Sequence, residues 1–279
     1  MTPAARRAVT PVRVHAVEGR RVSERPDRIV TEEPMEIRVQ NPGETPAPLV
    51  VTMRTPGHDF ELAVGFCRTE GVLLGAGDLA EVRYCLGGDG EQEYNVVTVA
   101  LRVPAALEVQ RRPFVAHASC GLCGKATLDQ VEIACPPVGP GPRVVSSTLL
   151  ALPERLRAAQ KVFDETGGLH AAALFSPAGE LRVLREDIGR HNAVDKIVGH
   201  ALMHDDLPLA DGLLFVSGRL SFEIVQKAAI AGVSVLGAVS APSSLAVAAA
   251  GRLGLTLVGF LREDRANIYT HPERVLVEA

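Results

Sequence analysis

The stretch His117-Ala-Ser-Cys120-Gly-Leu-Cys123-Gly-Lys125 holds the closely spaced thiol pair of a chain with five cysteines. The residues between and around the two sulfurs are mostly small, which leaves both thiols accessible. Gly121 and Gly124 permit a sharp turn there, because glycine takes positive φ without steric cost. Lys125 puts a positive charge beside the sulfurs, and Leu128, Val131 and Ile133 predict a short helix just after them. A thiol near a cation or a helix N-terminus has a lowered pKa, and the thiolate is the nucleophile. Cys120 and Cys123 therefore read as reactive rather than structural thiols.

Three other readings compete. Structural zinc wants four ligands, usually two such pairs. Cys67, Cys85 and Cys135 are scattered singly, and even with His117 one ligand is missing, so no metal is assigned. A thioredoxin-like redox pair wants a strand just before the motif, whereas Pro113, Ala116, Ala118 and Ser119 read as loop. Two buried apolar cysteines would leave the glycines unexplained.

The elements that must position such a loop come from a chain of 279 residues, long enough for one large domain or two ordinary ones. A net charge of −4 and the absence of Trp argue against general nucleic-acid binding. Arg6 and Arg7 are followed by no apolar run, so no signal peptide is read. The longest apolar run is cut by Arg219, Lys227 and Arg252, too short for a membrane span. Five cysteines without framework spacing fit a reducing compartment, and the expectation is a cytoplasmic protein.

Residues 1–10 read as a disordered tail and 11–135 as a strand-rich N-terminal region carrying the C-x-x-C loop. Within it, 12–39 alternates apolar and charged residues, Asn41-Pro42-Gly43 turns, and Leu49–Met53 and Tyr94–Val99 are strands. Thr55-Pro56 opens a helix whose inner face carries Phe60, Ala63, Val64 and Cys67; Arg54, His58, Asp59, Arg68 and Glu70 read as its solvated face. Gly75-Ala-Gly77-Asp-Leu-Ala80 matches a dinucleotide fingerprint on paper but lacks the strand before it and the helix at it. Pro136–Pro142 opens a Pro/Gly-rich linker, 136–147, before an α/β cofactor-binding domain, 148–279.

That second half predicts a helix from Pro153 to Phe163, a hairpin over 169–184, and an amphipathic helix bearing Val194, Ile197, Val198, Ala201 and Leu202. Strands at 213–216, 233–239 and 255–261 then alternate with helices at 221–231 and 243–253, closed by Gly232 and Gly254. This is the sequence form of a parallel βαβαβ sheet. Ligands of open α/β sheets sit beyond the carboxyl ends of the strands. The residues there are Ser217-Gly218-Arg219, Ser240-Ala241-Pro242 and Arg262-Glu263-Asp264-Arg265. Small residues admit a close backbone approach and arginines hold phosphate, so an anionic, nucleotide-like ligand is expected.

Several of these stretches together resemble the FdhD family of formate dehydrogenase accessory sulfurtransferases. They are Arg54–Phe66, Ser119–Gly124, Phe163–Ala172, Arg185–Lys196, Ser217–Glu223 and Phe260–Arg265. The resemblance implies a cytidine deaminase-like core within an α/β (α+β overall) fold, without the H-x-E…P-C-x-x-C zinc signature of deaminases. It implies that a cysteine desulfurase supplies a persulfide to Cys120, with Cys123 in support. The sulfur then passes to the bis-molybdopterin guanine dinucleotide cofactor (Mo-bisMGD) used by the formate dehydrogenase catalytic subunit. Phe260, Leu261, Arg262, Glu263, Asp264 and Arg265 match the segment assigned to that cofactor, GDP and GMP would act as partial mimics, and a homodimer is implied. A non-catalytic cofactor chaperone or a dithiol redox protein are the alternatives. His170 and His191 are candidate proton shuttles, each read first as a structural histidine. Finally, Leu184-Arg-Glu-Asp187 recurs as Leu261-Arg-Glu-Asp264. If the echo is functional, Asp187 and Asp264 both lie at the ligand crevice and Asp264 reads guanine.

Overall fold

The computed structural model describes residues 7–86, 92–105 and 137–278. Two sheets carry most of the architecture. The larger has six strands, ordered β13 (Arg265–Thr270), β12 (Thr256–Arg262), β11 (Val235–Ala238), β10 (Leu213–Val216), β8 (His170–Phe175) and β9 (Leu181–Asp187). As the sequence predicts, β10, β11 and β12 are parallel. Crossover helices α5 (Phe222–Ile230) and α6 (Ser244–Leu253) link them. The hairpin β8–β9 adds antiparallel to β10, and β13 antiparallel to β12.

Both faces of this sheet are covered at its centre, so β10 and β11 are apolar throughout. Along β10, Leu214 and Val216 face α5, α6 and α4 (Arg190–Met203), while Leu213 and Phe215 face α2 (Ser146–Ala159). The smaller sheet, ordered β4 (Ala47–Arg54), β3 (Glu33–Gln40), β6 (Gln92–Leu101) and β5 (Leu79–Leu86), is covered by α1 (Asp59–Thr69). Cys67 lies on that helix in the core, as expected, where burial pushes its thiol pKa up. The residues of the paper dinucleotide fingerprint form a single 3-10 turn leading into β5, not a strand-to-helix junction.

The two halves are welded through α1 and α4. At Gly65 a Cβ would lie 1.8 Å from the Asp195 carbonyl oxygen, and at Gly199 it would lie 1.8 Å from that of Glu61. The helix backbones touch there, and only glycine fits. Gly65→Ala should therefore cost at least about 1–3 kcal/mol through overpacking, read as a lower urea midpoint. A loss below about 0.5 kcal/mol would show that the helices separate freely.

Several boundaries differ from the sequence reading. β1 begins at Val9, inside the stretch read as a tail, and pairs with β2 (Arg21–Val30) as a two-stranded ribbon. Helix α1 starts at Asp59 rather than at Thr55-Pro56, because Gly57 and His58 both take positive φ. Arg54 and Asp59 are not a solvated face but a buried pair. Arg54 Nε and Nη2 donate to the two Asp59 oxygens at 3.1 and 2.9 Å, and Nη1 donates to Glu33 at 3.2 Å. The helix read as 153–163 instead runs from Ser146 to Ala159, breaks at Gln160, and resumes as α3 (Lys161–Thr166). Pro153 is tolerated inside α2, and at the break the Glu186 carboxylate accepts the freed N–H groups of Val162 and Phe163 at 3.0 and 2.8 Å. Of the linker, β7 (Val144–Val145) pairs with β14 (Val275–Leu276), and Ser146 already belongs to α2.

Candidate functional site

The three strand-end segments do converge. Leu220 N–H donates to the Ala241 carbonyl at 3.1 Å, and Phe260 N–H donates to the Ser240 carbonyl at 3.2 Å. Arg262 Nε donates to the Val239 carbonyl at 3.2 Å. These bonds tie the loops after β10 and β11 to the end of β12. Gly259 matters here, since a Cβ would stand 3.0 Å from Pro242 Cδ and 3.1 Å from the Ser240 oxygen.

Beside Ser217 and Val239 opens a cleft of about 540 Å³, roofed by the α2–α3 break. Its apolar lining includes Leu156, Phe163 and Leu169, and Arg157 lies over the Phe163 ring at 4.8 Å. Besides Arg157, three polar side chains reach it. Ser217 Oγ accepts the Ala171 N–H at 2.8 Å, which leaves its hydroxyl proton to donate. His170 is half-buried, and burial with the positive charge of Arg190 and the neighbouring His191 holds its pKa below the ordinary histidine value, which favours the neutral imidazole. Gln160 is buried, and its Nε2 has no hydrogen-bond partner among the described residues. A buried donor left unmatched costs about 1–3 kcal/mol, which a ligand acceptor in the cleft would recover. Sequence reasoning missed Gln160 altogether, because a polar residue at the end of an amphipathic helix reads as solvated.

The two histidines separate. His191 Nε2 lies 2.9 Å from Glu223 and 3.2 Å from Ser221 Oγ, a packed structural arrangement. His170 alone faces the cleft.

The segment Phe260–Arg265 forms the β12–β13 hairpin at the same end of the sheet. Phe260 and Glu263 both take positive φ, at 52° and 46°, which non-glycine residues adopt rarely. Phe260, Arg262, Glu263, Asp264 and Arg265 are exposed. Leu261 instead fills the core under α2, so only its backbone can meet a ligand.

The sequence echo does not make a pair. Asp187 ends β9, at the same end of the sheet as Asp264 but at the opposite edge, with β8, β10 and β11 between β9 and β12. It is fully buried, 2.7 Å from Lys196 Nζ, and accepts the N–H groups of Thr55 and Gly189 and the Asn192 amide. Every lone pair of this carboxylate serves the fold, so it does not read a ligand.

Cys120 and Cys123 lie outside the described residues. The described chain on either side ends at Ala105, whose N–H donates to Asn41 at 3.1 Å, and resumes just before Val138, whose N–H donates to the Leu253 carbonyl. Of the two described cysteines, Cys67 is buried and Cys85 lies 3.1 Å from Thr98 Oγ1. Among the described residues no group of three or more His, Cys, Asp and Glu side chains is placed to hold a metal. No described helix is long and apolar enough to cross a membrane.

Comparison with known proteins agrees over nearly the whole length. A family model described as the FdhD/NarQ family matches residues 30–276. The chain is 52% identical over 271 residues to the sulfur carrier protein FdhD of Streptomyces coelicolor, covering 92% of each. It is 50% identical over 282 residues to that of Mycolicibacterium paratuberculosis, covering 99% of this chain and 100% of the relative. A solved structure from Desulfotalea psychrophila, assigned as a formate dehydrogenase accessory protein, superposes with a TM-score of 0.74 at 23% identity. It spans 96% of this chain and 100% of its own, a likeness of fold.

Proposed function

Because the chain belongs to the FdhD/NarQ family, we propose that it is a sulfur carrier that loads a persulfide on Cys120 and hands the sulfur to Mo-bisMGD for formate dehydrogenase. The observation that carries this reading is the 50–52% identity, over nearly full length, to proteins named sulfur carriers. In the loading step the Cys120 thiolate attacks the outer sulfur of a persulfide on a cysteine desulfurase. A new S–S bond forms, the donor S–S bond breaks, and the donor cysteine leaves as thiolate, with no net oxidation. Mass spectrometry after incubation with desulfurase and cysteine tests it. A gain of about 32 Da on the Cys120 peptide, a reversible thiol cap, supports the carrier. Cofactor binding without any such gain would instead make the chain a chaperone for the cofactor.

The sheet end suits the cofactor as substrate. Arg262 spends Nε on Val239 and keeps two terminal nitrogens for phosphate, while Gln160, His170 and Ser217 supply polar contacts inside the cleft. Arg262→Ala and Arg265→Ala should each weaken GDP, and the loss should shrink at high salt, since exposed charge contacts are screened. Unchanged affinity at low salt would place the phosphate elsewhere. Asp264→Asn should weaken GDP far more than pyrophosphate, because an amide presents a donor where guanine N1–H needs an acceptor. Equal weakening of both would remove the guanine-reading role.

A further inference from the structure

Gln160 stands at the break between α2 and α3. It is 4% exposed, and its Nε2 has no hydrogen-bond partner among the described residues. The fold gains nothing from an amide buried in that state. An unmatched buried donor costs stability, and an apolar group of the same shape in its place is neutral or stabilising. The torsion that carries the amide is soft, so its N–H groups can turn into the cleft that Gln160 lines. A polar group that the fold does not use is available to a ligand.

The rest of the cleft indicates what kind of ligand. Its volume of about 540 Å³ suits a small-molecule site, as does an apolar wall with a few polar groups. Among the described residues no carboxylate lines it. Its one permanently charged lining residue, Arg157, is paired with Asp164 and lies over the Phe163 ring at 4.8 Å. Such a pocket takes an uncharged, flat group and leaves phosphate outside. A primary amide offers N–H donors beside a carbonyl acceptor. A lactam edge, a ring C=O next to a ring N–H, matches that pattern through two parallel hydrogen bonds. Guanine and pterin rings both carry this edge.

Covalent order separates the two, and here the inference rests on the cofactor reading of the β12–β13 hairpin. In Mo-bisMGD each pterin is joined to a guanosine through a pyrophosphate. Arg262, read as the phosphate ligand, donates Nε to the carbonyl of Val239 at 3.2 Å, and Val239 lines the cleft. Asp264, read as the guanine ligand, is exposed in the turn beyond Arg262. With guanine on the turn side of the phosphate, the group on its cleft side is the pterin. We propose that the cleft takes the pterin end of the substrate, against Leu156, Phe163 and Leu169, and that Gln160 is the specificity-determining residue that reads its lactam edge. The pterin end also bears the thiolates that hold the metal, so the cleft orients the sulfur acceptor while the hairpin holds the nucleotide.

The test titrates the full chain with neopterin, a soluble pterin, and with GDP. Wild type should bind both at once, with the same neopterin affinity in the presence and absence of saturating GDP. Gln160→Met should weaken neopterin about tenfold, about 1.4 kcal/mol, and leave GDP unchanged. Without ligand, its thermal unfolding midpoint should equal or exceed that of wild type, since an unmatched donor has been removed. Asp264→Asn should do the reverse, weakening GDP and sparing neopterin. A lower ligand-free midpoint for Gln160→Met would make the amide a brace of the helix break and overturn the proposal. Competition between neopterin and GDP in wild type would overturn it too, as would a Gln160→Met variant that loses GDP and keeps neopterin, by assigning the cleft to guanine. A wild type that binds GDP and no neopterin overturns the cleft assignment alone. One that binds neither removes the cofactor reading, and this inference with it.

Discussion

Cys120→Ala is expected to abolish sulfur loading completely while leaving GDP affinity nearly unchanged. The thiol is the only atom that can hold the sulfane sulfur at that position. Among the described residues, Gln160, His170 and Ser217 line the cleft and Arg262 stands in the β12–β13 hairpin. Two assays decide: the mass of the Cys120 peptide after desulfurase treatment, and titration with GDP. A tenfold loss of GDP affinity, about 1.4 kcal/mol, would mean that the cysteine segment forms part of the nucleotide site. Cys123→Ala separates two release routes. If Cys123 attacks the Cys120 sulfur of the persulfide, a disulfide forms and the outer sulfur leaves as sulfide carrying both electrons, and a dithiol reductant must then reopen the Cys120–Cys123 disulfide before the next loading. That variant would then load normally and fail to release. If Cys120 acts alone, the loss should be mild in both steps.

Lys196→Ala is expected to be the most destabilising single change away from the thiols. Lys196 Nζ lies 2.7 Å from Asp187 and donates to the carbonyls of Thr55 and Glu186 at 3.1 and 3.3 Å, with 1% and 0% of the two ionic side chains exposed. Asp187 in turn accepts the Thr55 N–H at 3.2 Å, and Thr55 Oγ1 accepts that of Ile188 at 3.2 Å. The cluster fastens the turn before α1 to the junction of β9 and α4, and so one half of the molecule to the other. Breaking a buried ion pair by removing one partner costs about 3–5 kcal/mol, because the remaining charge stays buried alone. Replacing both partners with apolar residues costs far less. Urea unfolding of Lys196→Ala, Asp187→Leu and Lys196→Met/Asp187→Leu should show the double variant more stable than either single one. A loss under about 1 kcal/mol in Lys196→Ala would show that water reaches Asp187 and that the cluster is not dry.

Much of the framework for the site is legible in the residues themselves. The β10–α5–β11–α6–β12 run announces itself through short apolar strands, helical stripes, and Gly232 and Gly254 at positive φ after each helix. Those signals are local: burial on both faces of a strand needs apolar residues at every position, and a left-handed residue after a helix favours glycine. The placement of Arg262 and Asp264 at the carboxyl end of β12 follows from the same regularity. What tertiary structure alone decides are the charges and the polar groups. Arg54 and Asp59 look like a helix's wet face, and Asp187 looks like a twin of Asp264, until Glu33, Lys196 and Asn192 arrive from elsewhere in the chain. Gln160 becomes a cleft residue only because Glu186, on β9, holds the helix open at that point. Hydrophobic periodicity reports how one residue meets the core. A buried charge survives only with its partner, and that partner is supplied by the fold.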